Sequence, residues 1–504
     1  MSNEEGRRRT HSTAIGLAAV LGLALAIRVA VLSQGPYLIH PDETFQYFEY
    51  AHYFVYRTGV MPWEFFSGIR SYFLPGLIAG IIEIERALGG SSPAVYVYAV
   101  KTLAILLSLT VVYVGFRAGQ RSFGLPGALL TGTVCALWFE LVYFAPAILT
   151  EVLASHLALV GLYLLDGYHG GQRSRASSGV LLGLSVCLRF HYGPALAIAA
   201  FYALRQDSKA LLTVTAWAGG TVLLVGGLLD TITLGAPFQS VWYNLWLNVV
   251  ENASGDFGTS PWFSYMQWIA ESWTVLLWPF AVCAVIGIVR WPALGIASIG
   301  VIVSQSLFGH KEYRFIYFTL MTAPIFIGLG TAQLFAYFKK AVDEITIAVA
   351  EIALIVVLGL ASYVAGTNGA LAERFATNRN GFGAFMAAHD LKDICGLGIK
   401  GFHWAETGGG YSYFNRAVPL YYSTGQIGRI RILLNGKPID QYAFDDFKTG
   451  NDYTAADFMS HTDRFNYLIV PAGQSVAGFQ EVACFSKPNG GLPVCLEHRD
   501  GPCI

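Results

Sequence analysis

The chain has 504 residues, of which 54% are hydrophobic and 13% charged, with a mean hydropathy of +0.49. Soluble domains carry roughly 25% charged residues, so this composition excludes an ordinary soluble protein and indicates a polytopic α-helical membrane protein. A formal net charge of −1 leaves no electrostatic footprint for nucleic acid.

The N-terminus is polar and carries Arg7, Arg8 and Arg9 before the apolar run Ala14 to Leu32. That run is long enough to span a bilayer. It reads as a first span rather than a cleaved signal, because no small-residue cleavage site stands out. Further spans are predicted near 94–118, 123–145, 151–166, 178–190, 191–205, 209–234, 271–290, 293–309, 316–338 and 345–366, about eleven with 12–34. Basic residues favour the cytoplasmic side. With the N-terminus there, Arg117, Arg121, Arg173, Arg175, Arg205, Lys209, Arg290, Lys339 and Lys340 all fall on that side.

The run Ser71 to Leu88 is apolar, but Pro75 and Gly76 interrupt it and Glu83, Glu85 and Arg86 crowd its end. Counting it as a span turns Arg117 and Arg121 outward, so it reads as an interfacial or re-entrant helix within a first outer loop, 39–92. The spans 178–190 and 191–205 are short and meet at Arg189-Phe190-His191-Tyr192-Gly193-Pro194, a break that requires a polar cavity or surrounding protein. A second long outer loop covers 235–270. The expected membrane domain is thus 1–366.

Beyond Thr367 the apolar runs stop, and 367–504 reads as a small soluble α/β domain on the outer side. Asn435-Gly436 suits a hairpin turn. Tyr467 to Pro471 reads as a buried strand stopped by proline, and Met386 to Leu391 as helix. Cys135, Cys187 and Cys283 lie in apolar runs and read as inert core residues. Cys395, Cys484, Cys495 and Cys503 indicate an oxidising compartment and two disulfides, with one pairing inside the tail and Cys395 closing the set.

Two polar clusters carry the chemistry. His40-Pro41-Asp42-Glu43 follows the first span at the membrane surface, where adjacent carboxylates are costly unless wetted or used. An acid after proline suits a helix start. It also suits a general base taking a proton from an acceptor hydroxyl, with Asp42 as the base and Glu43 orienting it. His310-Lys311-Glu312-Tyr313-Arg314-Phe315 lies between two later spans. Lys and Arg there can snorkel, or they can clamp a leaving phosphate. Arg189 either pairs structurally with Glu151 or adds a second phosphate contact. Arg70, His40 and Glu151 are further candidates for substrate contact. The aromatic loop with Trp242 and Trp262 suits an interfacial belt or a platform for a sugar ring. No metal-ligand spacing, Walker motif or dinucleotide fingerprint is present, which counts against a nucleotide-driven pump.

His40-Pro41-Asp42-Glu43-Thr44-Phe45-Gln46, with Trp63-Glu64-Phe65 and Gly68-Ile69-Arg70-Ser71-Tyr72, resembles the start of the polyprenol-phosphate-mannose-dependent α-mannosyltransferases, glycosyltransferase family 22. His310 to Phe315 resembles that family's second signature. The resemblance covers residues 1 to about 340. It implies a GT-C fold and inverting transfer of a sugar, mannose by expectation, from a polyprenyl- or dolichyl-phosphate carrier to a glycolipid or glycan. It implies Asp42 as base, with His310, Lys311 and Arg314 near the donor phosphate. No metal or other cofactor is expected. The expected location is a bacterial inner membrane with a periplasmic site; an ER membrane with a luminal site is the alternative. A lipid-linked saccharide transporter, a non-catalytic scaffold and a GT-C transferase with another sugar or a protein acceptor are the rival readings.

Overall fold

In the computed structural model, residues 3–165, 171–339, 342–367, 377–403, 409–424, 430–438, 458–487 and 490–503 are described; Lys340 and the last residue of the expected span 151–166 lie outside them. Among the described residues five helices are long and apolar enough to cross a membrane: Thr10–Ser33, Pro93–Leu137, Ser208–Leu234, Tyr313–Phe338 and Ile345–Val364. The pair Ser264–Trp273 and Leu277–Ile288, bent by 114°, makes a sixth if it is one broken span, and Thr150–Leu165, Phe190–Leu204 and Pro292–Ser306 are shorter apolar helices. The protein is a multi-pass membrane protein.

Helix occupies each position where the sequence predicts a span, but the lengths differ. The 45-residue run Pro93–Leu137 corresponds to two expected spans, because Phe123 and Gly124 leave helical geometry inside it. Gly124 has φ 66°, a left-handed conformation that glycine adopts without penalty, and Pro126 suits the first turn of the second half. The expected break near 189–194 is present: Gln172–Leu188 ends, Arg189 turns to φ −142° and ψ 83°, and a single tight turn at Phe190–Tyr192 leads into Gly193–Leu204. The run at 71–88 is a 15-residue helix, Phe73–Ala87, too short to cross. It buries Leu74, Ile78 and Ile82 and exposes Leu77 and Ile84, an amphipathic pattern.

The chain forms two compact units, one of residues 1–30 with 103–365 and one of 31–102 with 366–504. In the first, Gly287 faces the Phe326 carbonyl and Gly330 faces the Cys283 carbonyl so closely that a side chain at either would collide with backbone. Small residues allow this approach of two membrane helices.

The second unit contains the strands β1 (Gly59–Pro62), β2 (Leu397–His403), β3 (Leu420–Thr424), β4 (Ile430–Leu434), β5 (Lys437–Pro438), β6 (Tyr467–Pro471), β7 (Gln480–Phe485) and β8 (Val494–His498). A five-stranded sheet runs β3-β2-β6-β8-β7, and a three-stranded sheet runs β1-β4-β5. β6 is the central strand of the larger sheet and buries all five residues, as its continuous apolar run predicts. Its Leu468 and Val470 pack with Phe458, Phe465 and Phe479. The Asn435-Gly436 turn joins β4 to β5 with both residues at positive φ, 52° and 76°. The helix expected at 386–391 is the end of Arg379–His389. Two disulfides close the unit: Cys484–Cys495 within the tail, across the paired positions of β7 and β8, and Cys395–Cys503.

β1 comes from the segment 39–92 and pairs antiparallel with β4, with Gly59 opposite Leu433 and Pro62 opposite Ile430. That segment and the C-terminal strands are therefore one folded body. The pairing has no local signal, because four residues ending in proline carry little strand pattern.

Candidate active site

The first polar cluster lies in the unit of 31–102 and 366–504. Its acid pair sits at the start of a π-helix, Glu43–Phe48, with Asp42 at the preceding position. Single π turns inside helices occur frequently at functional sites. The two acids differ in surroundings. Glu43 is 1% exposed and forms an ion pair with the equally buried Lys101. Asp42 keeps 19% of its side chain accessible, with Oδ1 3.3 Å from His40 Nδ1. The Asp42 backbone N–H donates to the same nitrogen at 3.2 Å, so that nitrogen acts as acceptor.

Beside them, Gln46 Nε2 donates to Glu64 Oε1 at 3.0 Å, and Arg70 Nη2 lies 3.9 Å from that oxygen. Burial raises the Glu64 carboxyl above its usual range, with Arg70 opposing and Asp42 adding. Burial also works against the Arg70 charge, but Glu64, Tyr47 and Asp42 outweigh it and hold the guanidinium above its ordinary value. Asp42, Glu64 and Arg70 thus act on one another electrostatically.

Glu49, the residue directly after the π segment, is buried completely. Oε2 accepts from Val60 N at 2.6 Å, and Oε1 accepts from Ser412 N at 2.7 Å and Ser412 Oγ at 2.5 Å. Burial pushes its carboxyl up to about 7, against the pull of these donors. It ties β1 to the C-terminal segment. His52 is also structural: its ring bonds Thr58 O at 2.6 Å and Asn415 Oδ1 at 2.9 Å.

The second cluster lies in the other unit. Glu151, 1% exposed at the start of Thr150–Leu165, accepts through Oε1 from Arg189 Nη1 at 3.2 Å and Arg314 Nη1 at 3.1 Å. The ion pair that the sequence offers as the structural role of Arg189 is present. Arg314 Nε donates to Glu312 Oε2 at 2.5 Å, and Glu312 Oε1 receives His310 Nε2 at 3.0 Å. His310 Nδ1 lies 2.9 Å from Gly258 O. The hydrogen bond to Glu312 holds the His310 pKa above its ordinary value, despite partial burial. Lys311 turns onto backbone, donating to Ser260 O at 3.1 Å and to Phe308 O; burial lowers its ammonium pKa. Both guanidinium groups lie over the Phe315 ring, Arg189 at 4.5 Å and Arg314 at 5.1 Å. Arg189, Arg314, Lys311 and His310 therefore stand against two carboxylates, Glu151 and Glu312, so basic groups outnumber acidic ones in this cluster.

Tyr313 points away from this network and donates to Glu140, which also accepts from Trp138 Nε1 at 3.0 Å and Trp273 Nε1 at 3.3 Å. Trp242 and Trp262 stand 51% and 72% exposed.

The residues that sequence reasoning passed over are Lys101, Glu140 and Glu49. Lys101 and Glu140 are lone charges inside apolar runs, which is itself a signal that each has a partner or a function. Glu49 gives no such signal, since its partners come from Val60 and Ser412.

A family model described as the Alg9-like mannosyltransferase family matches residues 20–382. Human GPI alpha-1,2-mannosyltransferase 3 is 26% identical over 341 residues, which cover 64% of this chain and 58% of that protein. Mannosyltransferase APTG1 of Arabidopsis thaliana is 26% identical over 311 residues, covering 58% of this chain and 55% of that protein. The match thus spans less than two thirds of these relatives' length. Among solved structures, ArnT of Cupriavidus metallidurans bound to undecaprenyl phosphate superposes over 95% of this chain and 97% of its own, with a TM-score of 0.56 at 13% identity. At that identity the likeness speaks for the fold, which is GT-C. The family match covers more than half of the sequence, both acidic and basic clusters included, and the chain belongs to the Alg9-like mannosyltransferase family.

Proposed function

We propose that the protein is an inverting glycosyltransferase. It moves a mannosyl residue from a polyprenyl- or dolichyl-phosphate carrier to a hydroxyl of a glycolipid or glycan on the outer side of the membrane. The observation that carries the reading is the contrast within the acid pair: Glu43 is buried against Lys101, while Asp42 stays accessible beside His40. A general base must reach its proton donor, directly or through one water, and Asp42 meets that requirement. Family membership supports the sugar, and undecaprenyl phosphate in the structure of ArnT supports a carrier of that class.

In this mechanism Asp42 takes the proton of the acceptor hydroxyl as its oxygen forms a bond to the anomeric carbon. The bond from that carbon to the phosphate oxygen breaks on the opposite face. The electron pair leaves with the lipid phosphate. That charge calls for cationic partners, the role that the family resemblance implies for His310, Lys311 and Arg314 and that the sequence offers for Arg189. The acidic partners Glu151 and Glu312 preorient the guanidinium groups and balance their number. A single phosphate with such partners does not need a divalent ion, so activity is expected to survive EDTA. The expected location is a bacterial inner membrane with a periplasmic site, with the ER lumen as alternative.

The test supplies purified protein with polyprenyl-phosphate-mannose and a membrane glycolipid extract, comparing wild type with Asp42→Asn. Transfer by wild type, EDTA-resistant and reduced at least about 100-fold in a folded Asp42→Asn variant, fits the proposal. Unimpaired transfer by that variant removes Asp42 as base. Movement of the intact lipid-linked sugar across vesicles without transfer replaces the enzyme with a transporter.

A further inference from the structure

The helical segment 239–250 is built inside out for a water-facing loop. Its residues are Gln239–Leu245 in α-helical geometry, continued by a π turn at Trp246–Val250. Trp242, Leu245, Trp246, Val249 and Val250 are 37–59% exposed, at the i, i+3, i+4, i+7, i+8 spacing of one helix face. The buried positions are polar: Ser240 and Asn244. No charged residue occurs between Asp230 and Glu251.

Its placement is fixed by contacts with the preceding span, Ser208–Leu234. After Gly235 the chain folds back. Phe238 N donates to Gly226 O at 2.9 Å, and the Phe238 ring lies against Gly226 and Gly227, where a side chain would strike it. The buried Asp230 carboxylate receives Ser240 N at 3.0 Å and Ser240 Oγ at 2.6 Å. These contacts set both the depth and the rotation of the segment. Gly226 lies eight residues before the end of the span, roughly 12 Å down at about 1.5 Å per residue. A span of 27 residues is about 40 Å long against an apolar core of about 30 Å. Centred, it leaves about 5 Å outside at each end, so Phe238 lies about 7 Å inside the apolar core and Ser240, held at Asp230, lies near its edge.

The backbone tolerates that depth. Gly235 N donates to Asp230 O and Thr231 O, Phe238 N to Gly226 O and Gln239 N to Ala236 O, so these donors of the turn are satisfied from inside. The Trp242 indole N–H donates to Pro237 O at 3.3 Å, and Asn248 Nδ2 to Asn244 O at 3.0 Å. Leu224, Leu228 and Ile232 of the span itself are exposed as well.

We propose that residues 239–250 form an interfacial helix at the edge of the apolar core, whose Trp242–Leu245–Trp246–Val249 face rests on the acyl chains of one leaflet, the outer one by the charge-derived topology. The occupant of this face is bilayer lipid. The segment is neither a water-exposed loop nor a platform for acceptor sugar. The inference is independent of the proposed reaction.

The test uses the full chain in phosphatidylcholine vesicles, with Cys135, Cys187 and Cys283 replaced by alanine and the two disulfides kept. Spin labels are placed singly at Leu245→Cys, Trp246→Cys and Val249→Cys, at Ile232→Cys as a lipid-facing reference and at Asp256→Cys as a loop reference. Power saturation reads collision with oxygen and with a water-soluble nickel chelate. The expected result is an oxygen-to-nickel ratio at 245, 246 and 249 matching Ile232 and several-fold above Asp256. Nickel accessibility equal to that at Asp256 overturns the proposal. Low accessibility to both reagents overturns it in favour of a second protein chain on this face. Val249→Cys is a small change at an exposed site, so it yields an answer even if a tryptophan replacement disturbs folding.

Discussion

Replacing Lys101 by methionine tests how the acid pair is organised. The substitution keeps the side chain's length and removes its charge, which leaves the Glu43 carboxylate at 1% exposure without its cation. Removing one partner of a buried ion pair costs about 3–5 kcal/mol, because the remaining charge is uncompensated. In a unit the size of 31–102 with 366–504, about 1 kcal/mol moves the melting temperature by roughly 2–4 °C, so the single variant should melt about 6–20 °C lower. The double variant Glu43→Gln/Lys101→Met removes both charges and should recover to within about 1 kcal/mol of wild type, since an apolar or neutral replacement of a buried pair is often close to neutral. The assay is thermal unfolding in detergent, with mannosyl transfer measured well below the melting temperature. If Glu43 only orients the segment, the double variant retains transfer. Two results refute the reasoning: a Lys101→Met variant as stable as wild type, or a stable double variant that has lost transfer as completely as Asp42→Asn. The second would make Glu43 the base.

Glu49 gives a pH-dependent stability. Its folded pKa of about 7 lies above the usual 4.5, so the folded state binds the proton more tightly than the unfolded chain. Stability is then full below about pH 4.5 and is lost as pH rises through about 7, by about 3 kcal/mol at 1.36 kcal/mol per pH unit; Glu49→Gln should flatten that slope in unfolding measured between pH 4.5 and 7.5. The disulfide Cys395–Cys503 spans 108 residues and Cys484–Cys495 only 11. Loop-closure entropy then gives about 4.7 kcal/mol for a loop of about 100 residues and about 3 for one of about 15, so melting of the double-alanine variants should show the larger loss for the first pair. Glu151→Gln leaves two buried guanidinium groups sharing a neutral acceptor; a loss of about 3 kcal/mol or more in thermal stability is expected, and an unchanged melt would show that the two arginines find other acceptors.

The features legible in the sequence are those with a local cause. Apolar runs specify where helices lie, because every backbone group at membrane depth must be bonded within its own segment. Arg189-Phe190-His191-Tyr192-Gly193-Pro194 specifies a break, since proline and an arginine in an apolar run both oppose continuation. The β6 strand and the Asn435-Gly436 turn follow from apolar patterning and from the left-handed conformation that those two residues accept. The adjacent acids Asp42 and Glu43 and the basic cluster at 310–314 stand out because such groups are expensive beside a membrane.

What only the tertiary structure decided are relations between residues far apart in the chain. Pairing of β1 with β4 joins residues 59–62 to 430–433, and hydrogen-bond pairing across such a distance leaves no pattern in either strand alone. Asp42 and Glu43 are neighbours of the same type; Lys101, 58 residues on, separates them by claiming Glu43. The sequence offers Glu151 as a partner of Arg189, but only helix packing adds Arg314 to the same carboxylate oxygen. The inward face of 239–250 is likewise set by Asp230 and by the glycines under Phe238. Local sequence fixes conformation through sterics and burial, while the partner of each buried charge depends on which elements pack against it.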